Sequence, residues 1–239
     1  MTDIGLWYRF REYWWDERLM MLAQKKPLPK RILLILKLFI CISIAGCSGD
    51  SVNYESRGTS YAKEGEFDRA ILEYNKAVKK DPENAKIYSN RGYVYFLKGE
   101  YDHAIMNYTR AIELNPLFAE VYINRGNAYS IIEKYDQAIA DYTKAIEISP
   151  QYAGTYSDRG HMYYMKGDYR CAISDHSMAI KINPNYAKAC KSRAAAYCMT
   201  GEYDKAWVDV QKAQNLGQPV PPEFIRSLRI LSEASGRDK

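Results

Sequence analysis

The chain has 239 residues and a formal net charge of +5. Eight of its 34 basic residues and four of its 29 acidic residues lie within residues 1–46, so the rest of the chain carries a net charge of only +1. This balance argues against a nucleic-acid-binding protein, which would present a basic face. The five cysteines and three histidines do not cluster at metal-ligand spacing. The sequence therefore predicts neither a metal site nor a cofactor.

The N-terminal region has the organisation of a secretory leader. Residues 32–46 form an apolar run interrupted by Lys37, and four basic residues precede it at positions 25–31. A run of this length is short for a membrane span, which needs about 20 apolar residues, but it fits the apolar part of a signal peptide. The alternative is an uncleaved N-terminal membrane anchor. Residues 1–20 are unusually aromatic for a leader, and a true start at Met20 or Met21 would give a leader of ordinary length. The alternative is a genuine aromatic extension that lies at the membrane interface.

The apolar run ends in the sequence Ile44-Ala45-Gly46-Cys47, which resembles the lipobox of bacterial lipoproteins. The resemblance implies that residues 1–46 are removed, that Cys47 is acylated, and that residues 47–50 form a lipidated tether. It also implies a location in the cell envelope, facing the periplasm. Ser48 after the cysteine favours the outer membrane by resemblance to sorted lipoproteins.

A pattern of 34 residues then recurs along the chain. Each copy holds two helical patterns separated by a break such as Lys98-Gly99, and the second pattern stops before a proline, which disfavours helix. A fixed period of this length is typical of stacked helical hairpins, because one hairpin cannot bury its apolar face alone. The repeated small residues and prolines are Gly58, Gly92, Gly126 and Gly160; Ala70, Ala104, Ala138, Ala172 and Ala206; and Pro82, Pro116, Pro150 and Pro184.

One copy carries enough of these positions to resemble a tetratricopeptide (TPR) repeat. The residues that carry the resemblance are Tyr88, Gly92, Tyr95, Ala104, Tyr108, Ala111 and Pro116. The resemblance implies an all-α TPR solenoid of about five helix–turn–helix repeats with a C-terminal capping helix. The five repeats, numbered 1 to 5, are expected at residues 51–84, 85–118, 119–152, 153–186 and 187–220.

The C-terminal end departs from the pattern. Ala194, Val210 and Gln218 replace the glycine, the aromatic residue and the proline of repeat 5. A degraded last copy is expected where a stack ends. Residues 221–239 are predicted to form a capping helix and a tail. The apolar residues expected on the packed side of that helix are Phe224, Leu228 and Leu231.

Each copy also carries an arginine just before the glycine position and a polar residue on the second helix. An arginine fork suits pairing with a carboxylate, so these rows are predicted to form a structural ladder. A row of arginines that binds an anionic ligand is the alternative. The arginines are Arg57, Arg91, Arg125, Arg159 and Arg193, and their expected partners are Glu73, Asn107, Asp141, Asp175 and Asp209.

The TPR resemblance implies that the first helices line a concave groove. Residues on that side vary between copies, which is where binding specificity is expected, whereas the core positions repeat. Tyrosine and asparagine there suit an extended peptide or a partner helix. The predicted partner-binding groove consists of Lys86, Asn90, Tyr93, Asn124, Asn127, Asp158, His161, Tyr164 and Lys191.

No catalytic motif stands out, so the sequence predicts a protein that is not an enzyme. Cys190 and two other thiols are expected to be small buried residues, although Cys171 and Cys198 could meet across neighbouring copies. The predicted function is a membrane-tethered, protein-binding scaffold that holds a peptide segment or helix of an envelope partner. The alternative is an accessory subunit that recruits a cell-wall hydrolase or synthase.

Overall fold

The computed structural model describes residues 51–236, and every regular element within that range is an α-helix. The predicted all-α solenoid is therefore confirmed for this part of the chain, whereas the leader, Cys47 and the tether lie outside it. Residues 51–63 are helical and are named α1. Ten helices follow: α2 Phe67–Lys80, α3 Ala85–Leu97, α4 Tyr101–Leu114, α5 Ala119–Ile131, α6 Tyr135–Ile148, α7 Ala153–Met165, α8 Tyr169–Ile182, α9 Ala187–Met199, α10 Tyr203–Asn215 and α11 Pro222–Ala234.

A sharp turn separates the two helices of each repeat. Gly99 ends α3 with a φ of +80°, and the backbone N–H of Glu100 donates to the carbonyl of Tyr95 at 2.9 Å. This left-handed closure satisfies carbonyls at the end of the helix and favours glycine, which has no Cβ. Repeat 3 makes the same turn with Glu133, whose φ is +60°. A side chain at that position is strained, since left-handed backbone costs a non-glycine residue about 1–2 kcal/mol.

The second helices of repeats 1 to 4 stop just before a proline, as the sequence predicts. Helix α4 ends at Leu114, and the N–H of Asn115 donates to the carbonyl of Ala111 at 2.9 Å. The side-chain oxygen of Asn115 then accepts from the N–H of Leu117 at 3.2 Å. Pro116 has no N–H and cannot continue the helical ladder, so the chain turns into the next repeat.

Close approach between the paired helices explains the repeated glycines. A Cβ added at Gly92 would lie 2.9 Å from the ring of Tyr108, and one at Gly126 would lie 2.8 Å from the ring of Tyr142. Both tyrosines are buried and fill the space that the glycines leave. The ring of Tyr108 packs beside Gly92, whereas Tyr95 is only partly buried. The two helices of a repeat therefore contact each other where a glycine of the first helix packs against an aromatic ring of the second.

Helix α11 covers the last repeat, but not with the predicted residues alone. Leu228 and Ser232 are buried, and Phe224 packs partly against the core cluster of repeat 5. The placement of Leu231 on the packed side is wrong, since 42% of it is exposed. No helix within residues 51–236 combines the length and apolar character needed to cross a membrane.

Candidate functional site

The first helix of each repeat lies on the inner side of the stack. Helices α3 and α5 contact each other, as do α7 and α9, whereas second helices of neighbouring repeats approach each other less. The shorter separation between first helices means that the stack curves toward them. They therefore line the concave face, as the sequence predicts.

The structure places all nine predicted groove residues on α3, α5, α7 and α9, and none of them is buried. Tyr93 is 49% exposed. Three of the nine occupy equivalent places in successive repeats, and we call them the groove track: Tyr93, Asn127 and His161. Their placement fits a binding surface, but their role in binding a partner stays a prediction.

The N-terminal part of the groove contains a carboxylate that sequence reasoning missed. Glu55 on α1 lies 3.0 Å from the Nζ of Lys86 and accepts from the amide of Asn90 at 3.2 Å. Both predicted groove residues are thereby held by the preceding repeat. The contact joins residues 31 and 35 positions apart in sequence, and only the stacking of α1 against α3 brings them together.

The middle of the groove also contacts the core. Asn127 is one of the predicted groove residues, and its side-chain oxygen accepts from the hydroxyl of Tyr142 at 2.7 Å. Repeat 1 has the same contact between Thr59 and the hydroxyl of Tyr74, at 3.0 Å. Burial raises the pKa of Tyr142, and its hydroxyl is protonated near neutral pH. Asn127 is thus partly a structural residue.

The C-terminal end of the groove opens into a cavity of about 240 Å³. Three predicted groove residues meet there, together with residues that the sequence did not mark. His176 is one of these, although it lies on α8 rather than on a first helix. Pro221 and Phe224 reach the cavity from the capping segment. The lining consists of His161, Tyr164, His176, Lys191, Ser192, Ala195, Pro221 and Phe224.

Burial and nearby charges shift the pKa values of three titratable groups beside this cavity. Burial lowers the pKa of His176 to about 4, helped by the nearby charges of His161, Arg193 and Lys188. Partial desolvation lowers the pKa of His161, and Lys188 lowers it further. Burial raises the pKa of Asp158, while Lys188, 3.6 Å away, opposes that shift. Both imidazoles are therefore largely neutral at pH 7.

A row of exposed apolar side chains follows the groove track along the concave face. The first three lie four residues after a member of the groove track, on the same side of the helix one turn further on, and the fourth holds the equivalent place in repeat 5. We call these residues the apolar row: Leu97, Ile131, Met165 and Met199, which are 42%, 49%, 48% and 53% exposed. Sequence analysis missed the row, although its 34-residue spacing is visible. The concave face therefore combines a polar track with an apolar strip.

The arginines belong to the framework and not to the groove. Arg125 donates from Nε and Nη2 to the two carboxylate oxygens of Asp141, at 2.8 and 2.7 Å. Its Nη1 donates to Thr109 of the preceding repeat at 2.9 Å, a third bond that the sequence did not predict. Arg159 and Arg193 repeat the arrangement. The structural ladder is confirmed, and these donors are occupied by the protein itself.

The ladder is less regular toward its N-terminal end. Arg91 donates to Asn107 at 2.7 Å and to Asn75 at 2.6 Å, so amides take the place of the carboxylate and the hydroxyl. Arg57 lies 3.3 Å from Glu73 and its side chain is 49% exposed. The bidentate arginine–aspartate pairs are therefore confined to repeats 3 to 5.

Among residues 51–236, no group of three or more histidine, cysteine, aspartate or glutamate side chains is arranged to hold a metal ion. Cys171, Cys190 and Cys198 are free thiols. The expectation of three buried thiols is confirmed for Cys190 alone, since Cys171 is exposed and Cys198 is half-buried. Burial raises the pKa of Cys198 to about 11, so this thiol is protonated near neutral pH.

The fold and its concave face define the class: an α-solenoid of helical hairpins that presents a variable inner surface. Family models agree, since a TPR repeat model matches residues 58–99 and 92–130 and a tetratricopeptide repeat model matches residues 119–152. A crystal structure of MamA is 30% identical over 67% of this chain and 94% of MamA, with a TM-score of 0.65. The chain belongs to the tetratricopeptide repeat family.

Two further solved structures have the same fold. Another crystal structure of MamA is 29% identical, with a TM-score of 0.67, and the match covers 71% of this chain and 92% of that one. YrrB, described as a TPR protein with an unusual peptide-binding site, is 20% identical with a TM-score of 0.63 over 74% of this chain and 91% of its own. That lower identity supports the fold alone. Comparison with curated proteins gives no match.

Proposed function

We propose that this protein is a non-catalytic scaffold whose concave face binds an extended segment or a helix of a partner protein. The observation that carries the proposal is the pairing of the groove track with the apolar row on one accessible face. The track changes in every repeat, while the arginine ladder behind it is nearly constant. A binding surface needs such variation on a rigid support.

The chemistry of the face suits a peptide with alternating character. Apolar side chains of the partner would cover the apolar row, and its backbone would receive hydrogen bonds from tyrosine and asparagine. Neighbouring helices pack about 8–10 Å apart, and an extended segment advances about 3.3 Å per residue, so roughly three residues span one repeat. The peptide-binding site named for YrrB gives an analogy for this use of the fold.

The cellular setting is a second part of the proposal. The basic residues, apolar run and Ile44-Ala45-Gly46-Cys47 sequence support lipid attachment at Cys47 and a location at the periplasmic side of the cell envelope, with the outer membrane favoured. An uncleaved N-terminal anchor is the competing arrangement. Cys47→Ala should leave an unprocessed precursor and abolish acyl labelling in cells. Labelling that survives the change contradicts lipid attachment at Cys47.

Site-specific photocrosslinking in cells tests the binding surface. A photoreactive residue at Tyr93 should capture a partner that mass spectrometry can identify. Met106, on the second helix of the same repeat and 68% exposed, is the matched control. Equal capture from Met106, or no capture from any position of the groove track, would contradict a concave binding surface. A captured assembly component supports the scaffold role, and a cell-wall enzyme supports the accessory-subunit role.

A further inference from the structure

Repeats 1, 3 and 4 differ in how the buried ring behind the groove meets the groove track. In repeat 1 the hydroxyl of Tyr74 contacts Thr59, and in repeat 3 the hydroxyl of Tyr142 donates to Asn127. Repeat 4 has His176 where repeats 1 to 3 have tyrosine, and His161 at the track position. An imidazole is shorter than a phenol and carries no hydroxyl. The polar contact between ring and track residue therefore has no counterpart in repeat 4.

His176 is nevertheless placed like the tyrosines it replaces. A Cβ added at Gly160 would lie 3.0 Å from its Cε1, as close as the corresponding glycines are to the tyrosine rings. His176 is 1% exposed, and neither of its ring nitrogens has a hydrogen-bond partner in the protein. A neutral imidazole presents one donor and one acceptor, and leaving both unpaired in a buried place is costly. His176 is one of the residues that line the groove cavity.

The size and lining of the cavity limit what it can hold. Its volume of about 240 Å³ is below the roughly 300–1,000 Å³ typical of pockets for drug-sized ligands, so it suits a single side chain. Tyr164, Ala195 and Phe224 supply carbon surface for a ring. Lys191 at the cavity repels a cation, while the half-buried carboxylate of Asp158 beside His161 disfavours an anion. A neutral aromatic side chain with a hydroxyl group satisfies all of these conditions.

We propose that this cavity binds a tyrosine side chain of the partner segment, with its hydroxyl bonded to His176. The inference rests on the proposed function, because it places that tyrosine within a segment lying along the groove. The hydroxyl of the bound tyrosine supplies the polar contact that the hydroxyls of Tyr74 and Tyr142 make in repeats 1 and 3. Repeat 4 lacks a tyrosine of its own at this position, and the partner provides one.

p-Cresol, which is the side chain of tyrosine, is the probe for this site in the full-length protein. Imidazole NMR signals of His176 and His161 should shift saturably as p-cresol is added. Toluene, which lacks only the hydroxyl, should bind at least about tenfold more weakly, since it leaves the buried nitrogens unpaired. Equal binding of the two compounds, or shifts that bypass His176, would overturn the proposal.

Two variants should close the cavity. His176→Tyr restores the tyrosine of repeats 1 to 3 opposite Gly160 and should abolish p-cresol binding while the protein stays folded. Ala195→Leu narrows the cavity from α9 and should also weaken binding by more than tenfold. Ala140→Leu, an exposed site on α6, is the matched control and should have no effect. Unchanged p-cresol binding in folded His176→Tyr rules out the cavity as the site.

The same variants separate this inference from the function on which it rests. If Tyr93 captures a partner equally well in wild type and in His176→Tyr, the groove functions without a tyrosine in the cavity, and the inference is wrong. If p-cresol binds at His176 but no groove position captures a partner, the preference of the cavity for a phenol is supported and the scaffold function is wrong. Loss of capture in His176→Tyr supports both.

Discussion

Repeats 3 and 4 have matching framework contacts but different concave surfaces. Arg125 pairs with Asp141 at 2.8 and 2.7 Å, and Arg159 pairs with Asp175 at 2.8 and 2.8 Å. In repeat 3 the hydroxyl of Tyr142 donates a hydrogen bond to Asn127 of the groove track. In repeat 4 the equivalent ring is the imidazole of His176, which has no hydrogen-bond partner in the protein and lies beside a cavity. Because the arginine ladder joins the two helices in both repeats, the residue behind the groove can be tyrosine in one repeat and histidine in the next. The fold and the surface chemistry are therefore set by separate rows of residues.

The largest effect is expected from breaking what the two repeats share. Arg125→Leu leaves Asp141, which is 5% exposed, buried without its cationic partner. The loss in unfolding free energy should be about 3–5 kcal/mol, measured by denaturant unfolding. Asp141→Asn is the milder control, because Asn107 shows that an amide fits this row. An Arg125→Leu protein as stable as wild type would show that the ladder does not hold the repeats together.

A pH effect should distinguish repeat 4 from repeat 3. The pKa of His176 is lowered to about 4 in the folded protein from an ordinary value of 6.5. Its contribution to stability is therefore full above pH 6.5 and is lost as pH falls toward 4, because the unfolded chain binds the proton more readily. The loss should reach about 3 kcal/mol. Burial is the main cause of the lowered pKa, and the charges of His161, Arg193 and Lys188 also disfavour the protonated form.

The measurement for this effect is the difference in unfolding free energy between wild type and His176→Tyr over that pH range. The comparison cancels the protonation of carboxylates that both proteins share. Wild type should lose stability relative to the variant as the pH is lowered. A constant difference between pH 7 and pH 4 would show that His176 is not desolvated as the structure indicates.

A smaller change in stability is expected when the tyrosine hydroxyl behind the groove is removed, and two tyrosines allow a comparison. Tyr142→Phe removes the donor to Asn127 and should cost about 0.5–1.5 kcal/mol in denaturant unfolding. Tyr108, at the equivalent place in repeat 2, is fully buried and its hydroxyl has no partner. Tyr108→Phe should therefore be neutral or stabilising. Equal losses for both changes would mean that the contact with Asn127 contributes nothing specific.

The smallest effect concerns the turn that sets repeat 3 apart. Glu133 holds a φ of +60°, where repeats 1, 2, 4 and 5 have glycine. Glu133→Gly should raise the unfolding free energy by about 0.5–1 kcal/mol, because relief of strain exceeds the added freedom of the unfolded chain. Thermal unfolding measures the change. A destabilised Glu133→Gly protein would show that the glutamate side chain stabilises the turn more than its backbone strains it.

The sequence by itself determined the features that repeat locally. A 34-residue period, glycines and alanines that recur with it, and prolines that follow the second helices of repeats 1 to 4 predict that the chain forms stacked helical hairpins. The arginine ladder was also predictable, since Arg125 and Asp141 recur in register in every copy as a basic and a polar residue. Helical geometry fixes which residues share a face, so these rows needed no knowledge of how the repeats curve.

Only the tertiary structure decided where different elements meet. The cavity is lined by residues of four helices, and no spacing in the sequence predicts that they meet. These residues are His161 of α7, His176 of α8, Lys191 of α9 and Phe224 of α11. The exposure of Leu231 likewise depends on the angle at which α11 crosses repeat 5. Local patterns fix helices because hydrogen bonds along a helix join near neighbours. Surface chemistry depends on how whole helices pack, and one change from tyrosine to histidine behind the groove leaves a buried imidazole facing a cavity.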